Sequence, residues 1–144
     1  MSKRVSGFPS PFHWKVRVYI EDTDAGGVVF YANYLNFFER ARTEWLRRLG
    51  ITQQELMSSL SQVFVVSHVS VDYLAPARLD DELTLVLHIE RIGGASVSFS
   101  QRAWRGEVNL ANAKVKVVCV SLPDMRPKAI PSAWLKRMQD GVSA

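Results

Sequence analysis

The sequence predicts an α+β domain in which a five-stranded antiparallel sheet covers one long helix. Three observations carry this. A strand with period-two alternation follows a short N-terminal arm, and a helical stretch with an unusually broad apolar face comes next. Everything from there to the C-terminal tail alternates again, in four segments parted by turn signals. One strand, one long helix and four antiparallel strands can bury the helix only if the sheet wraps it. The 144 residues, 47% of them hydrophobic, are expected to form one domain spanning 1–144, large enough to fold without staples.

The first dozen residues carry Gly7, Pro9 and Pro11 and read as a flexible arm, 1–12. From Trp14 to Ile20, Trp14, Val16, Val18 and Ile20 alternate with Lys15, Arg17 and Tyr19, which predicts a strand. Asp22 to Gly27 breaks it. A helix is predicted from Tyr31–Asn33 to Leu49, stopped by Gly50, with Arg47 and Arg48 in its last turn. Its stripe is Leu35, Phe38, Ala41, Trp45 and Leu49, widened at the start by Tyr34 and Phe37, as suits a helix embedded in the fold. Thr52 to Ser59 predicts a short helix capped by Thr52, with Glu55 three residues later. Strands are expected over Phe64–Leu74, around Leu83–Ile89, around Val97–Ala103 and around Ala111–Cys119. Gly93-Gly94 reads as a two-residue hairpin, and a short helix around Ser132–Gln139 closes the chain.

Composition excludes several classes of function. The net charge of +4 is scattered over Arg40, Arg42, Arg47, Arg48, Lys114 and Lys116, with no arginine-rich tract interleaved with aromatics, so no nucleic-acid partner is expected. The charge suits a smaller anionic partner, such as a nucleotide-bearing molecule. The lone Cys119 sits in an apolar run and cannot form an internal disulfide; with no signal-peptide core and no membrane-length apolar stretch, a soluble, cytoplasmic protein is expected. The acidic residues and His13, His68 and His88 form no ligand cluster, so no metal is expected. The open sheet edges predict an oligomer.

The segment Glu21–Glu39, EDTDAGGVVFYANYLNFFE, concentrates the chemistry. Asp22 and Asp24 lie two apart at a strand end, one suited to anchoring a turn and the other to remaining a free carboxylate. Gly26 and Gly27 permit positive φ and close approach of another molecule. The helix that follows offers unpaired N–H groups at its positive end, where a carbonyl oxygen would be polarised opposite a carboxylate able to attack it or to activate water. On spacing alone, turn and cap chemistry is the stronger account of the same residues.

With VRVYIEDTDAGGVVFYANYLNFFERARTEWLR and, downstream, VDYLAPARLDDEL, the chain resembles the hotdog-fold acyl-CoA thioesterases of the 4-hydroxybenzoyl-CoA thioesterase family, nearest the branch associated with the Tol-Pal system. The resemblance covers about Trp14 to Trp134. It implies hydrolysis of an acyl- or aryl-CoA thioester with no cofactor, CoA being part of the substrate. In that family Asp24 matches the catalytic carboxylate, as nucleophile or general base. The N–H of Tyr31 matches the donor to the thioester carbonyl. Gly26, Gly27 and Val28 shape the loop around the thioester, and Arg126 and Lys128 resemble a basic pair near the nucleotide phosphates. The chain departs from its nearest branch at Tyr31, where those relatives typically carry His. A homotetramer, as a dimer of dimers, is the expected assembly.

Each of these residues also has a plainer reading: Arg126 and Lys128 as solvated loop charges, Glu39 as a partner of Arg42 or Thr43, and Arg78 as a turn residue paired with Asp80 or Asp81. An apolar acyl or aryl slot is expected from Phe30, Tyr34 and Phe37. Two other functions compete with hydrolysis. One is a non-hydrolytic module that binds acyl-CoA or acyl carrier protein, kept open by Tyr31. The other is a dehydratase, disfavoured because no His lies near the helix.

Overall fold

The computed structural model describes residues 3–4 and 11–143. The strands are β1 (Lys3–Arg4), β2 (Phe12–Arg17), β3 (Gln62–Tyr73), β4 (Glu82–Ile92), β5 (Ser96–Arg105) and β6 (Val108–Ser121); the α-helices are α1 (Asn33–Arg48), α2 (Gln53–Leu60) and α3 (Ser132–Ser143). Apart from the two-residue β1, the five strands form one antiparallel sheet in the order β2-β4-β5-β6-β3. The α+β architecture expected from the alternation is therefore present. β1 pairs with the far end of β4, Lys3 opposite Ile92, and the rest of the expected arm before Pro11 lies outside the described residues.

One face of the sheet packs on α1. Tyr34, Phe37, Phe38, Ala41, Trp45 and Leu46 are buried against Leu83, Leu85, Leu87 and Ile89 of β4, Val97 and Phe99 of β5, and the alternate residues Ala111 to Cys119 of β6. Trp45 meets Phe99 edge to face, ring centroids 5.7 Å apart. A polar pin crosses this interface. Gln101 of β5, fully buried, donates from Nε2 to the Phe38 carbonyl and accepts from Arg42 Nη1, both at 2.9 Å. Trp134 and Met138 of α3 close the end of the core near Gly50, whose carbonyl accepts from Arg137.

The structure corrects several sequence expectations. The first strand starts at Phe12 and ends at Arg17; Ile20, expected inside it, is 76% exposed in a 3₁₀ turn from Ile20 to Asp22. The reason is local: Asp22 Oδ2 accepts the Tyr19 N–H and so competes with the ladder. Leu35 leaves the buried stripe and is 39% exposed, outside the core that α1 forms with β4, β5 and β6. The β4–β5 connection is three residues long, since Gly94 and Ala95 give their carbonyls to Ile130 and Cys119 instead of closing a tight turn. α2 begins as expected, with Thr52 Oγ1 accepting from the Glu55 N–H, and α3 runs on to Ser143. Among the described residues, no helix is long and apolar enough to cross a membrane.

Gln101→Leu removes both buried hydrogen bonds and strands the Arg42 guanidinium. Chemical denaturation is expected to show a loss of about 2–3 kcal/mol with the slope unchanged.

Candidate active site

Asp22 and Asp24, equivalent by spacing, have opposite fates. Asp22 is 5% exposed; its Oδ2 accepts from the Tyr19 N–H and its Oδ1 from Asn33 Nδ2, both at 2.8 Å, while its carbonyl accepts from the Phe30 N–H. Every oxygen of Asp22 is thus used to tie the end of β2 to the first turn of α1. Asp24 is exposed. Its Oδ1 accepts the Gly26 N–H at 2.8 Å, closing an Asx-turn, and its Oδ2 has no partner among the described residues.

The loop that presents Asp24 is a miniature hairpin. Thr23 pairs with Val29, the Asp24 N–H donates to the Val28 carbonyl, and the Gly27 N–H returns to the Asp24 carbonyl. Gly27 has φ +77°, where a side chain would be strained; a Cβ on Gly26 would lie 3.3 Å from Asp24 Oδ1. Val28 faces Arg78 in a second bridge, and the Val29 N–H donates to the Ala77 carbonyl, so the PARLDD segment backs the loop. There Asp81, not Arg78, carries the ion pair: its Oδ2 meets Arg105 Nη1 at 3.0 Å and also accepts the Arg78 N–H.

Tyr31 follows directly, and its backbone N–H has no acceptor among the described residues. The peptide that carries this N–H is held through the Phe30 carbonyl, which accepts from the Asn33 N–H, and the next peptide is held by Tyr73 Oη, at the end of β3, which donates to the Tyr31 carbonyl at 2.8 Å. Tyr34 stands between them, 5.5 Å from the Tyr73 ring, with its hydroxyl accepting from the Ala77 N–H. Burial pushes the Tyr34 and Tyr73 hydroxyls up from their usual pKa, so both remain protonated near neutral pH. Tyr31, Tyr34, Tyr73, Leu74 and Pro76 line an open groove of ≈290 Å³. Phe37, expected in this slot, is buried in the core, and Phe30 stands exposed with its ring 4.7 Å from that of Tyr31. Tyr73 escaped sequence reasoning, since nothing local marks a strand tyrosine as reaching a helix forty residues earlier.

The structure brings Asp24, Gly26, Gly27, Val28 and Tyr31 into one hairpin and helix start, but not Arg126 and Lys128. Those two are exposed on the loop after β6, where the Arg126 carbonyl accepts from Ser121 and the Lys128 N–H donates to Cys119. Tyr73 pairs with Ala111, whereas Ser121 pairs with Gln62, so the length of β6 from 111 to 121 separates the two groups, about 30 Å. Glu39 accepts from Thr43 Oγ1 and, among the described residues, makes no ion pair with Arg42. His13, His68 and His88 lie on β2, β3 and β4, away from the loop. Among the described residues, no three His, Cys, Asp or Glu side chains gather as a metal site.

Comparison with known proteins gives the family of the chain. Residues 26–112 match the family model described as the thioesterase superfamily. The chain belongs to that superfamily. Within it, the chain is 50% identical over 120 residues to the "Acyl-CoA thioesterase YbgC" of Haemophilus influenzae, covering 83% of this chain and 88% of the relative. The "Probable Thioesterase" of Bartonella henselae superposes with TM-score 0.80 at 36% identity, over 85% of this chain and all of that one. A 1,4-dihydroxy-2-naphthoyl-CoA thioesterase from Synechocystis superposes with TM-score 0.81 at 26% identity, over 92% and 96% of the two chains. The hotdog architecture that the resemblance implied is thus shared with solved thioesterases, and the span matched by the family model includes Asp72 to Leu83 and begins at Gly26, after Asp22 and Asp24.

The two aspartates separate by measurement. Asp22→Ala leaves the Tyr19 N–H and Asn33 amide without acceptors and is expected to cost about 1–3 kcal/mol in thermal or urea unfolding. Asp24→Asn is expected to change stability by less than about 0.5 kcal/mol in the same experiment.

Proposed function

We propose that the protein is an acyl-CoA thioesterase that hydrolyses the thioester of an acyl- or aryl-CoA to the free acid and CoA, without a cofactor. The observation that carries this reading is the contrast between the two aspartates. The fold consumes Asp22 and leaves Asp24 exposed, with one oxygen free among the described residues, on the hairpin that precedes the Tyr31 N–H, itself without an acceptor among the described residues. The 50% identity to an acyl-CoA thioesterase over most of both chains supports it.

In this mechanism the thioester carbonyl accepts from the Tyr31 N–H at the positive end of α1, which stabilises the oxyanion. Asp24 takes a proton from water as the water oxygen bonds to the acyl carbon, or itself bonds to that carbon before water releases the acid. In either case the C–S bond breaks and the CoA sulfur leaves with the proton that water supplies. A positioned carboxylate contributes about 10²–10⁴-fold and one oxyanion donor about 10²–10³-fold. A thioester is an activated acyl group, so these two contributions suffice. The Asn33 bond to the Phe30 carbonyl steadies the donor peptide, the Tyr73 bond to the Tyr31 carbonyl steadies the peptide after it, and the Gly26–Val28 turn keeps side chains out of the approach.

The same reading calls for a second copy of the chain. β3 is twelve residues long and, among the described residues, pairs only with β6, which leaves its outer edge free. Antiparallel pairing of two β3 edges about a two-fold axis sets the Gln62 end of one beside the Tyr73 end of the other. Because Arg126 and Lys128 sit at the Gln62 end, the second copy would deliver them to the nucleotide phosphates of a CoA whose thioester lies at Tyr31. A dimer of such dimers completes the proposed homotetramer.

Thiol release over a panel of short, long and aromatic acyl-CoAs is expected to fall at least about 10²-fold in Asp24→Asn with the far-ultraviolet spectrum intact. Equal rates would remove Asp24 from its role, and binding without release in the wild type would favour the non-hydrolytic module. Arg126→Ala with Lys128→Ala is expected to raise KM for acyl-CoA and to leave turnover of an acyl-pantetheine, which lacks the nucleotide, unchanged. Light scattering of the wild type should give an even-numbered assembly.

A further inference from the structure

A cavity of ≈120 Å³ lies between α1 and the sheet, well along the helix from Asp24. Trp45, Phe64, Phe99 and Met138 make most of it apolar, but Arg42 also lines it. That residue is only 9% exposed, and a guanidinium carries five N–H donors. One nitrogen, Nη1, donates to Gln101; Nε and Nη2 have no acceptor among the described residues. The nearest carboxylate does not answer them: Glu39 accepts instead from the Thr43 hydroxyl, which also accepts from Gln53. Burial pulls Arg42 down to about 10, against a smaller opposing effect of Glu39, so it stays charged near neutral pH. Neither nitrogen is among the fully buried unpaired atoms of the described residues, so both reach open space at the cavity, where an oxygen acceptor from outside the chain can meet them.

The groove at Tyr31 and this cavity are separate, with large apolar side chains in the stretch between them. Leu35, Glu39, Arg42 and Leu46 of α1 follow at spacings of four, three and four, which places them on one flank of the helix, with Tyr31 in the turn before it. Across from that flank, Val66, Val69, Val71 and Tyr73 of β3 pair with Val117, Val115, Ala113 and Ala111, all of which face the core. Leu35, Val66 and Val69 are 39%, 50% and 38% exposed, large hydrophobic side chains on the helix side that the core leaves uncovered. From Asn33 to Arg42 the helix rises about 14 Å, and the turn that carries Tyr31 brings the distance to roughly 16 Å. An extended chain advances about 1.2 Å per bond, so some fourteen bonds, roughly, bridge that distance.

We propose that the cavity receives the far end of the substrate's acyl chain, and that Arg42 selects chains of about a dozen carbons whose terminus carries an oxygen acceptor. This rests on the acyl-CoA thioesterase reading above. A terminal hydroxyl and a terminal carboxylate share the required chemistry. They differ in that a hydroxyl can also donate to Glu39, whereas a carboxylate would be repelled by it.

The test is thiol release from dodecanoyl-CoA, ω-hydroxydodecanoyl-CoA and the mono-CoA ester of dodecanedioic acid, with wild type, Arg42→Met and Asp24→Asn. In the wild type, kcat/KM is expected to be at least about 10-fold higher for one oxygenated substrate than for dodecanoyl-CoA, as one charge-assisted hydrogen bond supplies. Which of the two is preferred distinguishes hydroxyl from carboxylate. In Arg42→Met the ratio is expected to fall to about one; a ratio taken within a single variant is insensitive to partial loss of fold. Equal wild-type values for all three substrates, or an undiminished preference in Arg42→Met, overturns the proposal. Release from short or aryl acyl-CoAs alone also overturns it and leaves the thioesterase reading standing, whereas loss of all release in Asp24→Asn ties the measured turnover to the site at Tyr31.

Discussion

One buried carboxylate determines where the candidate site can be. Asp22 accepts from the backbone of Tyr19 at the end of β2 and from the side chain of Asn33 in the first turn of α1. It thereby joins the sheet to the helix across the loop that carries Asp24. With the two ends pinned, the intervening residues close as a hairpin. The Asp24 side chain is left outside, and the peptide of Tyr31 opens at the helix start with its N–H unpaired among the described residues. Without that tie, neither the exposure of Asp24 nor the direction of the helix opening would be determined by the loop's own hydrogen bonds.

The rest of the architecture serves to hold α1 still. Apolar side chains of three strands grip its buried face, and Gln101 adds a directional constraint by bonding both its backbone at Phe38 and its side chain at Arg42. Tyr73 and Tyr34 do the same at the N-terminal end, one for the Tyr31 carbonyl and one for the Ala77 N–H behind the hairpin. A donor aimed at a developing oxyanion must not reorganise during reaction, so rigidity at this end of the helix is what the proposed chemistry requires. The flank of α1 that faces β3 is the exception: the sheet ends there, leaving apolar side chains and part of a guanidinium uncovered.

Much of the fold was legible because its signals are local. Alternation at Leu83, Leu85, Leu87 and Ile89, the helical stripe at Phe38, Ala41 and Trp45, and the Thr52 cap each follow from neighbours in the chain. The misread elements are those where a distant residue intervenes. Gly93-Gly94 has the composition of a tight turn, but Ile130 and Cys119 draw on the carbonyls of that loop. Leu35 fits the helical stripe yet stands outside the core. Glu39 and Arg42 have the spacing of a helical ion pair, but Gln101, fifty-nine residues further on, takes the guanidinium. Of the candidate site, the Asp-Gly-Gly run was visible as a place where one carboxylate could anchor and another remain free; spacing could not say which.

By itself, then, the sequence determined the class of fold, the order of its elements and the short segment in which chemistry is concentrated, because hydrophobic periodicity and turn chemistry act between near neighbours. Only the tertiary structure decided that Asp22 is buried and Asp24 free, that Tyr73 reaches Tyr31, that Arg126 and Lys128 stand a sheet's length from both, and that Arg42 opens on a cavity. The first rests on bonds to residues up to eleven positions away, and the other three depend on strand order and register. They bring together residues forty to a hundred positions apart, and no pattern within a helical turn or a single strand carries that information.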